Sequence, residues 1–443
     1  MKSNLLRLGT RKSLLAWAQS SWVAHEIESL NPGLTVELVG IETRGDRVLD
    51  VPLSQVEGKE FFVAELDDAL KSRRVDFSVH SMKDLSLDRP AGFTLAAIPA
   101  REDPRDIVFF SPGIEKKLRA KATIRVGTSS PRRLENIPGF LRRALPRFES
   151  STEPKLQFAE IRGNVNTRLG RIHLAESHER HLDGVVLALA GIARLWADQE
   201  GRAELGKLFQ GIRFMVLPLR ENPTAAAQGA LAIECRADDQ RTLGCLRKLH
   251  DPKTESLVAR ERALLGEWGG GCHQRFGATA VQHPQLGELF FIRGKRPNDE
   301  QVDELRWTPP AAPLSSDSWD GQYWRAAGTE ELLHPALPDF SGKMVFVAHW
   351  RALPIDGAHT WDQAKVWTSG TTSWFRLAAT GLWVEGCAEG LGFDFALNTL
   401  QKPCLQLGPP ESWHVLTHAG ASAEWAEIIP HENIHATYHL HID

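Results

Sequence analysis

The chain has 443 residues, a formal net charge of −4, 42% hydrophobic residues and 24% charged residues. This length predicts two to four domains, and the charge disfavours a general nucleic-acid binder, whose affinity comes from neutralising phosphates. The first residues lack the apolar core of a signal peptide, and no apolar run approaches the roughly 20 residues that cross a bilayer. The cysteines form no C-x-x-C pair, which indicates neither a disulfide framework nor a zinc site. They are Cys235, Cys245, Cys272, Cys387 and Cys404. We therefore expect a reduced cytoplasmic protein.

The first half of the chain alternates short apolar segments with amphipathic ones, a pattern typical of α/β folds. The first round of predicted elements comprises strands at 5–9, 35–39 and 77–80 and helices at 13–30 and 62–72. The second round comprises strands at 124–128, 156–161 and 184–188 and a helix at 165–173. This repetition predicts two similar doubly wound domains around a cleft, with ligands at loops beyond the strand ends.

The pattern changes from about residue 230 onward. A strand at 231–235, a helix at 255–266 and the glycine run before Cys272 predict a small α+β domain. A Pro- and Ser-rich stretch at 308–316 predicts a linker, and ten of the fourteen tryptophans follow residue 300. We expect α/β domains at 1–105 with 214–230 and at 106–213, an α+β domain at 231–310, and a C-terminal domain of α/β type at 317–443.

Several loops at predicted strand ends carry the cations and hydroxyls that suit carboxylates. They are Thr10–Ser13, His80–Asp84, Gly127–Arg133 and Arg162–Arg168. The first of these opens a helix, where free N–H groups and the helix dipole favour anions. The alternative is ordinary helix capping by Ser13 or Thr10 and a solvated basic surface for the arginine pairs.

Lys83 and Asp84 stand side by side after the predicted strand at 77–80. They are either a surface ion pair of little energetic value or an acid/base group in a cleft. Cys272 follows three glycines, whose permissive backbone allows the sulfur to be presented to a large ligand, although most free cysteines are buried and inert. Together these features indicate an acidic substrate that is handled while covalently attached to the protein.

Metal and phosphate sites are not indicated. The glycine run lacks the Gly-Lys-Ser/Thr ending of a phosphate loop. His431, His435, His439 and His441 are metal ligands by residue type, but no cysteine or carboxylate completes a zinc spacing. His439 and His441 are expected to share one face of a final strand.

Residues 5 to about 280 resemble the porphobilinogen deaminase family, also called hydroxymethylbilane synthase. The runs that carry the resemblance are Leu8–Ser13, Thr43–Asp46, Gly58–Leu66, Val79–Asp84, Arg101–Asp106, Val126–Ser130, Ile161–Val165 and Leu187–Gly191. The chain departs from the family pattern at Ala227, where the family usually has glycine, and at His273-Gln274-Arg275, where it usually has an uncharged stretch.

The resemblance implies a transferase of tetrapyrrole (haem and porphyrin) biosynthesis, folded as two lobes like those of periplasmic binding proteins. It would join four porphobilinogen molecules head to tail on a covalently bound dipyrromethane, releasing ammonia and then, by hydrolysis, hydroxymethylbilane. Asp84, assisted by Lys83, would be the catalytic carboxylate and would stabilise a positively charged azafulvene-like intermediate. The dipyrromethane would be held through a thioether to Cys272 and contacted by Lys83, Asp84, Ser129, Arg132, Arg133 and Gln228. Porphobilinogen and the growing chain would contact Arg11, Ser13, Gln19, Phe62, Arg162, Asn164, Arg168 and Arg194. We expect a monomer without nucleic-acid or membrane partners.

Two alternatives stay open. Residues 364–372 and 377–382 resemble part of uroporphyrinogen-III synthase, so a bifunctional enzyme that also makes uroporphyrinogen III is one alternative. A non-catalytic anion-binding protein of the same two-lobed fold is the other. The latter predicts a secretion signal and gives no reason for Lys83-Asp84 or Cys272.

Overall fold

The computed structural model describes residues 4–43, 63–148, 152–270, 274–309, 330–333, 335–353 and 361–440. Phe62, Cys272, His441 and most of the predicted linker lie outside these ranges. Within them, no helix has both the length and the apolar character that crossing a bilayer requires.

Nineteen strands and twelve α-helices are formed by the described residues. The strands are β1 (Leu5–Arg11), β2 (Thr35–Ile41), β3 (Phe77–Ser81), β4 (Phe93–Ala97), β5 (Asp106–Phe110), β6 (Ile124–Gly127), β7 (Leu156–Ala159), β8 (Gly184–Ala188), β9 (Arg213–Val216), β10 (Leu231–Arg236), β11 (Arg275–His283), β12 (Gly287–Lys295), β13 (Gln301–Thr308), β14 (Glu330–Leu332), β15 (Met344–Val347), β16 (Lys365–Thr368), β17 (Gly386–Cys387), β18 (His414–His418) and β19 (Ile434–Leu440). The helices are α1 (Leu14–Leu30), α2 (Ala64–Lys71), α3 (Ile114–Arg119), α4 (Pro131–Ala144), α5 (Val165–Gly170), α6 (Leu189–Ala197), α7 (Gln199–Leu208), α8 (Gln240–Leu246), α9 (Pro252–Glu267), α10 (Thr371–Ala379), α11 (Phe393–Leu400) and α12 (Ser422–Trp425).

Two five-stranded sheets of the same topology form the first two lobes. The first has the order β2-β1-β3-β10-β4 and the second the order β7-β6-β8-β5-β9. In each, the first three strands are parallel and the fourth is antiparallel to both of its neighbours. The predicted pair of α/β lobes is therefore confirmed.

The chain passes between the lobes twice. The first crossover, residues 98–105, joins β4 to β5, and the second crossover, residues 217–230, joins β9 to β10. Hence β10 belongs to the first sheet, although the sequence analysis placed residues 231–236 in the α+β domain. Likewise, β9 belongs to the second sheet, although residues 214–216 were expected in the first lobe. The sheet that a strand joins is decided by hydrogen-bond pairing between distant segments, which the pattern along the chain does not reveal.

Local sequence accounts for where several helices begin. The side chain of Ser13 accepts a hydrogen bond from the Ala16 N–H, which caps α1. Pro131 occupies the first turn of α4, where its missing N–H is not needed. Asp251 caps α9 by accepting from two backbone N–H groups. The predicted helix at 165–173 is α5 followed by a 3₁₀ turn.

The third unit is an antiparallel sheet, β11-β12-β13, against which α9 packs. Its small core contains Leu264 of α9 with Phe276, Phe290 and Ile292 of the sheet. This agrees with the predicted α+β unit, whose helix was expected at 255–266.

The C-terminal region forms a fourth sheet of order β14-β19-β18-β15-β16-β17, parallel except for β14. Its apolar core is continuous with that of the second lobe. Trp374 of α10 is fully buried, packs edge to face with Phe140 of α4, and donates from Nε1 to the Ala144 carbonyl at 3.2 Å. The expected α/β sheet is thus present, and it shares its core with a neighbour.

Candidate active site

The chain turns sharply where β3 ends, and this turn carries Lys83 and Asp84. Residues Met82–Asp84 form one turn of 3₁₀ helix, in which Lys83 is half-buried and Asp84 is exposed. Arg262 of α9 holds the turn by donating to the carbonyls of Met82, Leu85 and Ser86, at 3.1, 3.0 and 2.8 Å. A strand end, a tight turn and a helix from another unit therefore fix where Asp84 is presented.

Lys83 is linked to the second crossover and through it to the second lobe. Its Nζ donates to Gln228 Oε1 at 3.2 Å, and Gln228 Nε2 donates to Asp106 Oδ1 at 2.8 Å. Burial lowers the pKa of Lys83; Arg133 and Arg132 lower it further, while Asp84 and Asp106 act in the opposite sense. The ammonium is therefore easier to deprotonate than that of an exposed lysine.

Asp106, the first residue of β5, is the centre of a buried polar cluster. It accepts from Arg132 Nη2 at 2.9 Å, from Arg133 Nη2 at 2.7 Å and from Asn222 Nδ2 at 2.9 Å. Although burial by itself would raise it, the charges of Arg132 and Arg133 hold the pKa of Asp106 far below its usual range. Both arginines are at least nine-tenths buried, so neither forms the solvated basic surface considered in the sequence analysis.

Arg162 and Arg168 lie on the second lobe, and the charges of both Asp84 and Arg162 act on Arg168. Arg168 donates from Nε to the Gly163 carbonyl at 2.7 Å. Burial, together with the charge of Arg133, lowers the pKa of Arg168 to about 10, and Asp84 opposes this. Within the described residues, Nε and Nη2 of Arg162 are buried and have no hydrogen-bond acceptor. Buried N–H groups without acceptors are able to donate to the oxygen atoms of a ligand or of water.

Gln19 and Arg11 approach the end of β3 from the first lobe. Gln19 is buried and hydrogen-bonds Ser81 through its side chain at 3.3 Å. Burial, Arg89 and Arg11 together lower the pKa of His80 to about 3, which places the Arg11 charge near this strand end. Ser13 of the same loop is engaged in capping α1, as the alternative interpretation expected.

The remaining predicted contacts have internal partners. Ser129 Oγ donates to the Ile161 carbonyl at 2.5 Å and accepts from its N–H at 2.9 Å, which fixes the start of the Arg162 loop. Asn164 caps α5 through the Thr167 N–H. Arg194 donates to the Gly229 carbonyl at 2.6 Å, and burial lowers its pKa to about 10. The structure therefore brings Arg194 to the second crossover.

The glycine run after α9 is closed by Gln274. The side-chain amide of Gln274 donates to the carbonyls of Trp268 and Gly270, at 3.0 and 3.2 Å. Gly270 also lies against Leu87, three residues after Asp84. Cys272 lies outside the described residues, and Gly270, two positions before it, lies near the turn that carries Asp84.

One cluster has the composition of a metal site. Ligand atoms of Asp67, His80 and Glu234 lie within 4.8 Å of one another. Arg89 lies between the two carboxylates, with Nη2 at 2.7 Å from Asp67 and 2.8 Å from Glu234, so its charge offsets part of theirs. In the C-terminal region, His435 of β19 hydrogen-bonds His414 of β18 at 3.0 Å.

Three residues with clear structural roles at the site were not assigned roles in the sequence analysis. Asp106 lies in one of the runs that carry the family resemblance, and an acid that opens an apolar strand is a signal that could have identified it. Arg262 gave no signal, because its three acceptors lie about 180 residues away along the chain. Ala227 adopts φ +62°, a left-handed conformation that favours glycine, which explains why glycine is usual there.

Two α/β lobes joined by two crossovers define a two-lobed α/β protein. A family model described as "Porphobilinogen deaminase, dipyromethane cofactor binding domain" matches residues 6–244. The chain belongs to the porphobilinogen deaminase family, as the sequence analysis predicted.

Named relatives agree with this assignment. Porphobilinogen deaminase of Syntrophotalea carbinolica is 40% identical over 311 residues, which cover 70% of this chain and 89% of that protein. Porphobilinogen deaminase of Geobacter metallireducens is 41% identical, with 66% of this chain and 82% of that protein covered. Porphobilinogen deaminase 1 of Streptomyces avermitilis is also 41% identical, with coverage of 63% and 79%.

Among solved structures, the methionine-binding protein MetQ matches with a TM-score of 0.30 and 13% identity, covering 58% of this chain and 94% of that one. YhfZ from Shigella flexneri matches with a TM-score of 0.29 and 14% identity, covering 61% of this chain and 94% of that one. Because these TM-scores are low, the description of the fold rests on the sheet topology.

Proposed function

We propose that the protein condenses four porphobilinogen molecules head to tail and releases ammonia and then, by hydrolysis, hydroxymethylbilane. The observation that supports this most is the Arg162 side chain, which has two buried N–H groups without an acceptor among the described residues and lies near Arg168, on which the charge of Asp84 also acts. Porphobilinogen carries two carboxylates, and each added unit brings two more. A protein that lengthens such a chain needs permanently charged donors, which arginine supplies.

The residues present fit a covalently held dipyrromethane. The two unpaired N–H groups of Arg162, and the charge of the neighbouring Arg168, suit the carboxylates of such a group. Cys272 is the proposed attachment point, through a thioether. Lys83, Gln228, Arg132, Arg133 and Ser129 are the proposed contacts of the cofactor. When bound, this group supplies the pyrrole carbon to which a new unit is joined.

Asp84 is the proposed catalytic carboxylate. As ammonia leaves porphobilinogen, positive charge develops on the substrate, and a carboxylate fixed in advance stabilises that charge without reorganising. The carbonyl contacts of Arg262 hold the Asp84 turn in place. Lys83 is the proposed assisting group, since its lowered pKa makes a proton available near Asp84. Arg11, Ser13, Gln19, Phe62, Asn164 and Arg194 complete the proposed substrate contacts.

The test compares Asp84→Asn with Asp88→Asn, an exposed carboxylate four residues away. We expect Asp84→Asn to lower porphobilinogen consumption by about a hundredfold or more and Asp88→Asn to leave it near the wild-type rate. Intact mass of wild type and Cys272→Ala checks the attachment. We expect a mass increase of two linked pyrroles on the wild type alone. Near-normal turnover by Asp84→Asn, or the same adduct on Cys272→Ala, contradicts the proposal.

The same assay separates the alternatives. A non-catalytic anion-binding protein would bind porphobilinogen and not consume it. A bifunctional enzyme would yield uroporphyrinogen III, whereas hydroxymethylbilane alone cyclises to the type I isomer; the resemblance of residues 364–372 to uroporphyrinogen-III synthase stays a prediction. A monomeric state and a cytoplasmic location are also proposed. The location is supported by Cys235, Cys245, Cys387 and Cys404, all free thiols.

A further inference from the structure

The C-terminal region reaches both crossovers between the lobes. Glu389 after β17 contacts both crossovers, and Thr399 of α11 and Lys402 after α11 contact the first. We call these three residues the C-terminal brace. None of them lies in the part of the chain that the family model matches.

Glu389 joins the two crossovers through a single carboxylate. Its Oε1 accepts from Arg105 Nε of the first crossover at 2.8 Å, and its Oε2 accepts from the Arg220 N–H of the second crossover at 3.2 Å. The Glu389 side chain is 1% exposed. Loss of either contact would leave a buried charge or a buried donor without a partner, which is unfavourable.

The backbone at Glu389 is strained, and the surrounding turn maintains it. Glu389 has φ +58°, and the nearby Gly390 and Gly392 have φ +75° and +90°. A non-glycine residue keeps a left-handed conformation only where neighbouring contacts over-determine it, and such positions are concentrated where a side chain must be aimed. Here the conformation aims a carboxylate at the gap between the crossovers.

Thr399 and Lys402 also hold the first crossover. Thr399 Oγ1 donates to Asp103 Oδ2 at 2.5 Å and accepts from Arg105 Nη1 at 2.7 Å. Lys402 forms an ion pair with Glu102. The same segment is also packed tightly against the second crossover, because a Cβ at Gly229 would meet the Glu102 carbonyl oxygen at 2.4 Å.

The braced segment leads directly to the site. Arg105 is followed by Asp106, the residue that orders Arg132, Arg133 and Gln228, and Gln228 accepts from Lys83. We infer that Glu389 and Thr399 are positioning residues for the reaction, which fix the geometry between the lobes through Arg105 and Asp106. The expected effect on kcat rests on the proposed function. The expected effect on the rigidity of the crossovers rests on the contacts alone.

The test uses the full-length protein and two matched substitutions at Thr399. Thr399→Val keeps the shape and removes the hydroxyl, whereas Thr399→Ser keeps the hydroxyl. Glu389→Gln is the second test variant, and Asp394→Asn, an exposed carboxylate on the same helix as Thr399, is the control. For Thr399→Val and Glu389→Gln we expect kcat for porphobilinogen to fall about tenfold to a hundredfold, with KM little changed, because misplaced groups slow chemistry more than they weaken binding. Thr399→Ser and Asp394→Asn should retain the wild-type kcat.

Hydrogen exchange followed by mass spectrometry measures the effect on the crossovers independently of enzymatic activity. We expect faster exchange in peptides covering 98–105 and 217–230 for Thr399→Val and Glu389→Gln, and unchanged exchange in β1 and β6. The inference is overturned if exchange in both crossovers of Thr399→Val and Glu389→Gln equals that of the wild type, or if exchange is accelerated equally throughout the protein. It is also overturned if kcat of Thr399→Ser is as low as kcat of Thr399→Val. If the wild type does not consume porphobilinogen, the proposed function fails, and exchange in the crossovers alone decides whether the brace exists.

Discussion

Replacing Asp106 with asparagine tests the buried cluster that links the lobes. The carboxylate accepts five side-chain hydrogen bonds, two at Oδ1 and three at Oδ2, from Arg132, Arg133, Asn222 and Gln228. In either orientation of an asparagine amide, its NH₂ group faces at least two of these donors. Two buried guanidinium groups also lose the charge that balances them.

These losses set the expected magnitude. Removing one partner of a buried ion pair costs about 3–5 kcal/mol, and each buried donor without an acceptor costs about 1–3 kcal/mol. The two figures describe overlapping effects, so we expect Asp106→Asn to lower the free energy of unfolding by about 3–5 kcal/mol. This is a large share of the roughly 5–15 kcal/mol that stabilises a typical domain.

Urea titration followed by tryptophan fluorescence and far-UV circular dichroism measures the change. Asp183→Asn is the matched control, because Asp183 is fully buried in the same lobe and accepts from Lys117 Nζ at 2.6 Å and from the Arg125 N–H at 2.7 Å. We expect both variants to be less stable, and only Asp106→Asn to lose porphobilinogen turnover under conditions where each is folded. A loss below about 1 kcal/mol for Asp106→Asn would refute the reasoning, since that is the value of an ordinary hydrogen bond.

Two further predictions concern the C-terminal region. Burial raises the pKa of Glu385 to about 7, against the opposing charges of Arg213 and Lys365. A carboxyl with a raised folded-state pKa favours folding below its ordinary value of 4.5, and this contribution is lost as the pH rises towards 7. Glu385→Gln should therefore flatten the dependence of Tm on pH between 4.5 and 7, as measured by scanning calorimetry; an unchanged slope would contradict the assignment. Trp374→Ala should lower the free energy of unfolding by about 3–5 kcal/mol. It should lower the melting temperatures of the second lobe and the C-terminal sheet together, because they share a core. Two separate melting transitions, of which only one is shifted, would show that the cores are independent.

Much of the fold could be predicted because its signals are local. The alternation of apolar and amphipathic segments predicted the lobes, and α1 begins where the Ser13 cap indicated. The turn after β3 was located correctly because Lys83 and Asp84 follow a short apolar strand. Hydrophobic period and capping act within a few residues, so the chain order carries them directly.

For part of the site, the sequence predicted which residues are present but could not predict which partners they contact. Arg132 and Arg133 were expected to meet ligand carboxylates, and the structure shows that they meet Asp106, 26 and 27 residues earlier in the chain. Arg162, by contrast, keeps buried donors without a partner among the described residues. The sequence alone does not distinguish these cases, because both are arginines in a loop at a strand end.

The amino-acid sequence by itself determined the α/β character, the family and the cationic loops of this protein, since each is written in neighbouring residues. Only the tertiary structure decided that β10 completes the first sheet, that the C-terminal sheet shares a core with the second lobe, and that Glu389 reaches Arg105 across 284 positions. Contacts of such separation depend on how whole sheets and helices pack, and no pattern along the chain encodes the partner.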